Sequence, residues 1–184
     1  VFPSLKLQDS APPGDERSGR LKEERGAEVC IGDEGRGQWC YDFANEAVQE
    51  YRLAMVAEVL RDYEADGLEL DFCFEAFYFR KSDIAANIVQ MSEFVARVRR
   101  LADQIGAKQG RQIPLMARVH LKEADNLALG LDVAAWFAEG SIDWVAGQDD
   151  NVLVDPGIQA PWLADISRAA DGAAYYRPPR RIYD

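Results

Sequence analysis

The acidic residues of one short stretch, residues 66–75, have a spacing that could do chemistry. Four apolar side chains alternate there with Glu69, Asp71, Cys73 and Glu75, which is the period of a β-strand. Three carboxylates held on one strand face are costly unless they have acid/base work, a metal or a cationic partner. The stretch therefore predicts a functional site. The alternative is a surface strand whose carboxylates lie in water.

The elements around this strand predict how it is held. A helical pattern of about twenty residues precedes it and another follows it, which indicates βαβ units and a parallel sheet. The predicted fold class is α/β, a (β/α) TIM-type barrel. Carboxylates on the inward face near the end of a barrel strand lie at the mouth, where such barrels place their active sites.

A second strand, residues 113–120, supplies a cation and the single histidine of the chain. Met116, Arg118 and His120 share one face of it. A buried arginine almost always needs a carboxylate partner, and the neighbouring strand offers three. His120 is either a structural hydrogen-bonding residue or a catalytic one, because it lies at the carboxyl end of its strand.

Other candidates follow from their position. Asp9 belongs to the polar group at the carboxyl end of a short predicted strand, residues 2–7, in the same kind of position as Asp71. Phe77 and Tyr78 belong to an aromatic loop after the central strand, and Trp144 lies on a further strand, residues 142–146. These three rings could stack on a sugar or simply pack.

The length of the chain limits the architecture. At 184 residues it is short for a (β/α) barrel, which typically needs about 250 residues. We expect one domain, residues 1–184, that forms an incomplete barrel with about five of the eight strands. Residues 11–39 show no periodicity and predict a long, partly mobile loop over the mouth, or else a disordered insertion.

The charge limits the partners. A net charge of −11 and a pI near 4.6 argue against nucleic acid or an anionic membrane as the main partner, whereas neutral sugars or cationic ligands are not repelled. No apolar run approaches a membrane span. Three cysteines without CxxC spacing support neither a disulfide framework nor a zinc site, and the compartment stays open.

The run Asp-Gly-Leu-Glu-Leu-Asp-Phe at residues 66–72, followed by an aromatic loop, resembles the fourth-strand signature of glycoside-hydrolase-like (β/α)8 barrels. The family it resembles is the bacterial family-10-like glycosyl hydrolases, and the chain would then span roughly the third to the seventh strand. It is also similar to the chitinase motif Asp-Gly-x-Asp-x-Asp-x-Glu. Glu69 replaces one Asp of that motif, and Cys73 stands where its catalytic Glu would be.

The resemblance implies hydrolysis of a poly- or oligosaccharide by carboxylate acid/base catalysis, without a cofactor. Asp71 or Glu75 would be the acid/base, and Glu69 would orient Arg118. The second carboxylate could also come from another strand end, where Asp9, Asp143 and Asp149 are available. Alternatives are a non-catalytic carbohydrate-binding barrel, or a metal-dependent enzyme with Glu69, Asp71 and His120 around Mg²⁺ or Mn²⁺. The predicted substrate-binding residues are Asp9, Phe77, Tyr78, Arg118, His120 and Trp144. Copies of the chain could associate through the open barrel edges.

Overall fold

The computed structural model describes residues 1–32, 35–63, 65–148 and 161–177. Five parallel strands form one sheet in the order of the chain: β1 (Ser4–Lys6), β2 (Leu68–Asp71), β3 (Leu115–His120), β4 (Trp144–Gln148) and β5 (Ala173–Arg177). The helices are α1 (Arg20–Arg25), α2 (Glu46–Asp62), α3 (Ile84–Gln109), α4 (Glu123–Leu127), α5 (Val133–Ala138) and α6 (Pro161–Ala169).

The strand order defines the fold class. Parallel strands that follow one another in chain order, with helices in the connections, form an arc of a (β/α) barrel, whereas a doubly wound sheet reverses its order at a switch point. The prediction of an α/β fold of the incomplete TIM-barrel type, with five strands, is confirmed. Among the described helices, none is long and apolar enough to cross a membrane.

The two faces of the sheet have different surroundings. Leu70, Ala117 and Val145 lie side by side on one face and are completely buried in the hydrophobic core. On β3 the buried residues alternate with half-buried ones, which include Met116 and Arg118. This second face corresponds to the barrel interior, and we call it the inner face.

Strand β2 is shorter than its sequence pattern. The alternation predicts a strand that continues to Glu75, but β2 ends at Asp71. There the Asp71 Oδ1 atom accepts hydrogen bonds from the backbone N–H groups of Cys73 (3.0 Å) and Phe74 (3.1 Å). An aspartate that bonds the backbone two residues ahead forms an Asx turn, which ends the extended conformation. Glu75 therefore lies in a turn and not on the strand.

The long loop after β1 is folded, so the expectation of a structureless, partly mobile segment is wrong for its described residues. It contains α1 and a 3₁₀ turn at Gly26–Val29, and a β-bridge joins Cys30 to Tyr41. Val29 is fully buried. These few buried apolar residues could not be recognised from the polar composition of the loop.

Two glycines are required, one by packing and one by a helix end. An added Cβ on Gly67 would overlap the Phe2 ring, so the close approach of this ring requires a glycine there. Helix α3 ends at Gln109 and is capped by Gly110 with φ 68°. A left-handed Gly after the last turn is a common helix end.

Candidate functional site

Arg118 joins the two carboxylates of β2 on the inner face. Its Nη1 donates to Asp71 Oδ2 at 3.0 Å, and its Nη2 donates to Glu69 Oε1 and, at 3.3 Å, to the Ser4 hydroxyl. The strand register explains the contact between Arg118 and Asp71, because the two residues pair directly across the β2–β3 ladder. The prediction that Arg118 finds its partner among these carboxylates is confirmed.

The energetics of this cluster depend on burial. The side chains of Glu69 and Asp71 are 7% and 6% exposed, and that of Arg118 is 12% exposed. Removing a partner from a buried ion pair leaves a charge in a poor solvent, which costs far more than losing a surface pair. Two carboxylates and one guanidinium also leave a net charge of −1 in the cluster.

A cavity of about 270 Å³ opens on the inner face beside Glu69. Aromatic rings from Phe2, Trp144 and Tyr175 line it, and among the described residues Glu69 is the one lining residue with a charged side chain. The Phe2 and Trp144 rings stack with their centroids 5.6 Å apart, and the Tyr175 ring meets Trp144 edge-on at 6.4 Å. Trp144, which was predicted to bind substrate, thus belongs to an aromatic wall next to a carboxylate.

The turn after β2 places Glu75 and Phe77. Glu75 has φ 47°, a left-handed conformation that costs a non-glycine residue roughly 1 kcal/mol. In the part of the chain that the structure describes, its carboxylate has no ion pair or hydrogen bond.

The Phe77 ring covers Gly37, where an added Cβ would lie 2.8 Å from the ring, so this half-buried ring holds the long loop.

The contacts of Asp9 lie within the long loop. Its carboxylate accepts hydrogen bonds from the backbone of Ala11 at 2.9 Å and Gly19 at 2.7 Å, and the ammonium of Lys22 lies 3.4 Å away. Burial lowers the pKa of Lys22, and the charge of Asp9 opposes that shift. Asp9 therefore fixes the loop. A contact between Asp9 and substrate stays a prediction.

Tyr78 requires a correction. Its ring is 1% exposed and packs against Phe43 (5.4 Å between centroids) and Phe72 (5.7 Å) in the hydrophobic core. Burial raises the pKa of the Tyr78 phenol well above its usual value. A ring enclosed in this way cannot serve as a sugar platform.

Hydrogen bonds to its backbone fix the position of His120. The Asn126 side chain accepts from the His120 backbone N–H at 3.0 Å and donates to the His120 carbonyl at 2.8 Å. Asn126 itself is 1% exposed. These bonds fix the carboxyl end of β3, where His120 lies half-buried next to Arg118 in the alternation of the strand.

Several residues that shape the cavity and the long loop were not predicted from the sequence. Phe2 and Tyr175 complete the aromatic wall, and Gln8 ties the start of the long loop to its end through hydrogen bonds with the Tyr41 backbone (2.8 and 2.9 Å).

Asp149, considered as a second carboxylate, lies outside the described residues. Asp143 lies outside the cluster, because its carboxylate accepts from Arg99 at 3.0 Å and the Leu115 backbone at 2.7 Å.

A metal centre has no support from the geometry. Within residues 1–32, 35–63, 65–148 and 161–177, no three His, Cys, Asp or Glu side chains converge as a group that could hold a metal ion. The set of Glu69, Asp71 and His120 that a metal-dependent enzyme would need is therefore not formed.

The similarity of this chain to known proteins is one of structure. No family model matches the chain, and no curated protein matches it. The chain is similar to the structure of a family 18 glycoside hydrolase, an N-acetylglucosaminidase from Paenibacillus barengoltzii, with 17% identity and a TM-score of 0.49. The match covers 73% of this chain and 45% of the other, so this chain spans less than half of that protein. The similarity concerns the fold, and the family-10-like placement stays a prediction.

Proposed function

We propose that this chain acts on carbohydrate as a glycoside-hydrolase-like protein, with the family-10-like glycosyl hydrolases as the group it resembles. The observation that carries the proposal is the aromatic cavity that reaches Glu69, on the same strand face as Asp71. Aromatic rings supply platforms for the apolar face of a sugar, and carboxylates supply hydrogen-bond acceptors and proton transfer.

The spacing of the carboxylates suits the chemistry. Residues two apart on a strand lie about 6.5–7 Å apart, and inverting glycosidases keep their carboxyl groups about 6.5–9.5 Å apart. The Cα atoms of Glu69 and Asp71 have this spacing along β2, and Arg118 binds both carboxylates. Asp71 also holds Arg118 and the turn, and its oxygens are occupied by those contacts.

Glu75 is the stronger candidate for the acid/base. Among the described residues its carboxylate is tied to no cation, so proton exchange would not break an ion pair. Its strained backbone holds it close to the carboxyl end of β2, where barrels place their reacting groups. In this proposal Asp71 orients Arg118 and supplies the second carboxylate, and Glu69 faces the cavity.

Hydrolysis of a panel of aryl glycosides, N-acetylglucosaminides among them, tests the proposal. Asp71→Asn and Glu75→Gln each change volume little, and each should lower turnover about 10²–10⁴-fold. Glu58→Gln, an exposed position on α2, is the matched control and should retain full turnover. Full activity in both site variants would place the catalytic pair elsewhere.

A second candidate function is carbohydrate binding without catalysis. The occupied oxygens of Asp71, and the bond of Glu69 to Arg118, favour it. In that case sugars would bind in the cavity with measurable affinity, and no glycoside would be turned over above the rate of the Glu75→Gln variant.

A further inference from the structure

We infer that the inner-face cavity takes a ligand with a positively charged ammonium group. The inference deepens the proposed function and rests on it for one point, that the ligand is a sugar. The sugar would then be an amino sugar with a free, protonated amine. A small quaternary ammonium compound offers the same chemistry and is distinguished by the test below.

The shape of the cavity suits a small cation. Its volume of about 270 Å³ has room for one sugar ring or one small ammonium compound. Glu69 and Trp144 occupy the same register row of the sheet, two strands apart, which separates their Cα atoms by about 10 Å. A cation held above Met116, the residue between them in that row, would lie within ion-pair distance of the carboxylate and within the roughly 6 Å at which an aromatic ring attracts a cation.

The charge of the cavity selects a cation. Phe2, Trp144 and Tyr175 present aromatic rings, and Glu69, which is 6% exposed, is the charged residue of the lining. No lysine or arginine lines the cavity as described. A neutral ligand would gain only hydrogen bonds from the carboxylate, an ammonium group would gain the attraction between opposite charges as well, and an anion would be repelled.

The nearby cations balance only part of the negative charge of the Glu69 and Asp71 carboxylates. Arg118 is shared between Glu69 and Asp71, which leaves one negative charge in the cluster uncompensated. Lys6, in register with Asp71, points its ammonium at the Phe74 ring, 3.8 Å from the centroid. The chain as a whole, at −11, also attracts cations.

Two pairs of probes, each a cation and a neutral compound of the same shape, test the inference. Choline is compared with 3,3-dimethylbutan-1-ol, and glucosamine with glucose, by calorimetric titration at pH 6.5. The cation of at least one pair should bind at least about tenfold more tightly than its neutral counterpart. Tighter binding of glucosamine identifies an amino sugar, and tighter binding of choline identifies a small quaternary ammonium.

Three variants assign the effect to the cavity. Glu69→Gln should abolish the preference for the cation, while Glu58→Gln, on the exposed face of α2, should keep it. Tyr175→Leu alters a half-exposed ring without touching the ion pairs, and should weaken cation binding more than binding of the neutral compound. If Glu69→Gln fails to fold, the Tyr175→Leu variant tests the inference in its place.

The failures of the two proposals are distinguishable. Equal binding of cation and neutral compound in both pairs, no binding at all, or a preference that survives in Glu69→Gln would overturn the inference. If neutral sugars bind as well as glucosamine and choline binds no better than its neutral counterpart, the carbohydrate function stands while the inference fails. If choline binds with a charge preference and no sugar binds or is hydrolysed, the inference stands and the carbohydrate function fails.

Discussion

Arg118 is the residue on which the inner face depends. It is the cation that accompanies two carboxylates taken almost completely out of water. Ion pairs of this kind contribute little net stability when compared with an apolar core, but breaking one is expensive because a buried charge is left alone. The function of Glu69 and Asp71 and the stability of the sheet are therefore coupled through one side chain.

Arg118→Ala should accordingly lower the free energy of unfolding by about 3–5 kcal/mol. Arg168→Ala is the matched control, since Arg168 pairs with Asp165 on the surface of α6 and both side chains are more than half exposed. Its removal should change stability by less than about 0.5 kcal/mol. Urea denaturation measures both. Equal, small effects would show that Glu69 and Asp71 are solvated and need no partner.

At the scale of elements, the long loop after β1 is the unexpected part. It packs its buried cysteines against the body, where Cys40 is completely buried and Cys30 is 3% exposed. Burial raises the pKa of the Cys40 thiol to about 12 and also raises that of Cys30. Cys73, after β2, is half-buried.

Alkylation with iodoacetamide at pH 8 should therefore modify Cys73 first. The thiolate is the reacting form, and a pKa near 12 lowers its fraction at pH 8 on the order of a thousandfold relative to an ordinary thiol. Cys30 and Cys40 should react only after guanidinium is added, and Cys73→Ser should leave the native protein nearly unlabelled. Three cysteines labelled at one rate in the native protein would mean that the loop does not pack on the body.

The strands and helices also show which parts of the fold and of the site can be predicted from the sequence. The alternation of residues 68–71 and the charge of Arg118 were enough to predict their ion pairs, because strand period fixes the face and burial demands a partner. Asn45 and Asp132 cap α2 and α5, and both are residue types that favour helix N-caps. Tyr78 was misplaced because an aromatic residue in a loop can pack into the core or face a ligand, and the sequence pattern is the same in both cases. The cavity rings Phe2 and Tyr175 were missed because their meeting depends on register between distant strands.

At the scale of the whole molecule, the open arc determines what the inner face can do. Among the described strands, β1 and β5 each hydrogen-bond to one neighbour, so the sheet has two edges. Tyr175 and Tyr176 on β5 are 54% and 46% exposed. Unpaired edges and exposed rings favour association, and association of copies through these edges stays a prediction.

The central claim is that sugars bind on the inner face, and the indole resonances of the tryptophans test it directly. Trp144 lines the cavity, while Trp136 is completely buried in the core and bonded to Ser92, which makes it an internal control. Titration of ¹⁵N-labelled protein with glycan should shift the Trp144 indole signal, assigned with Trp144→Phe, and leave that of Trp136 in place. Saturable sugar binding with an unmoved Trp144 signal would contradict the account.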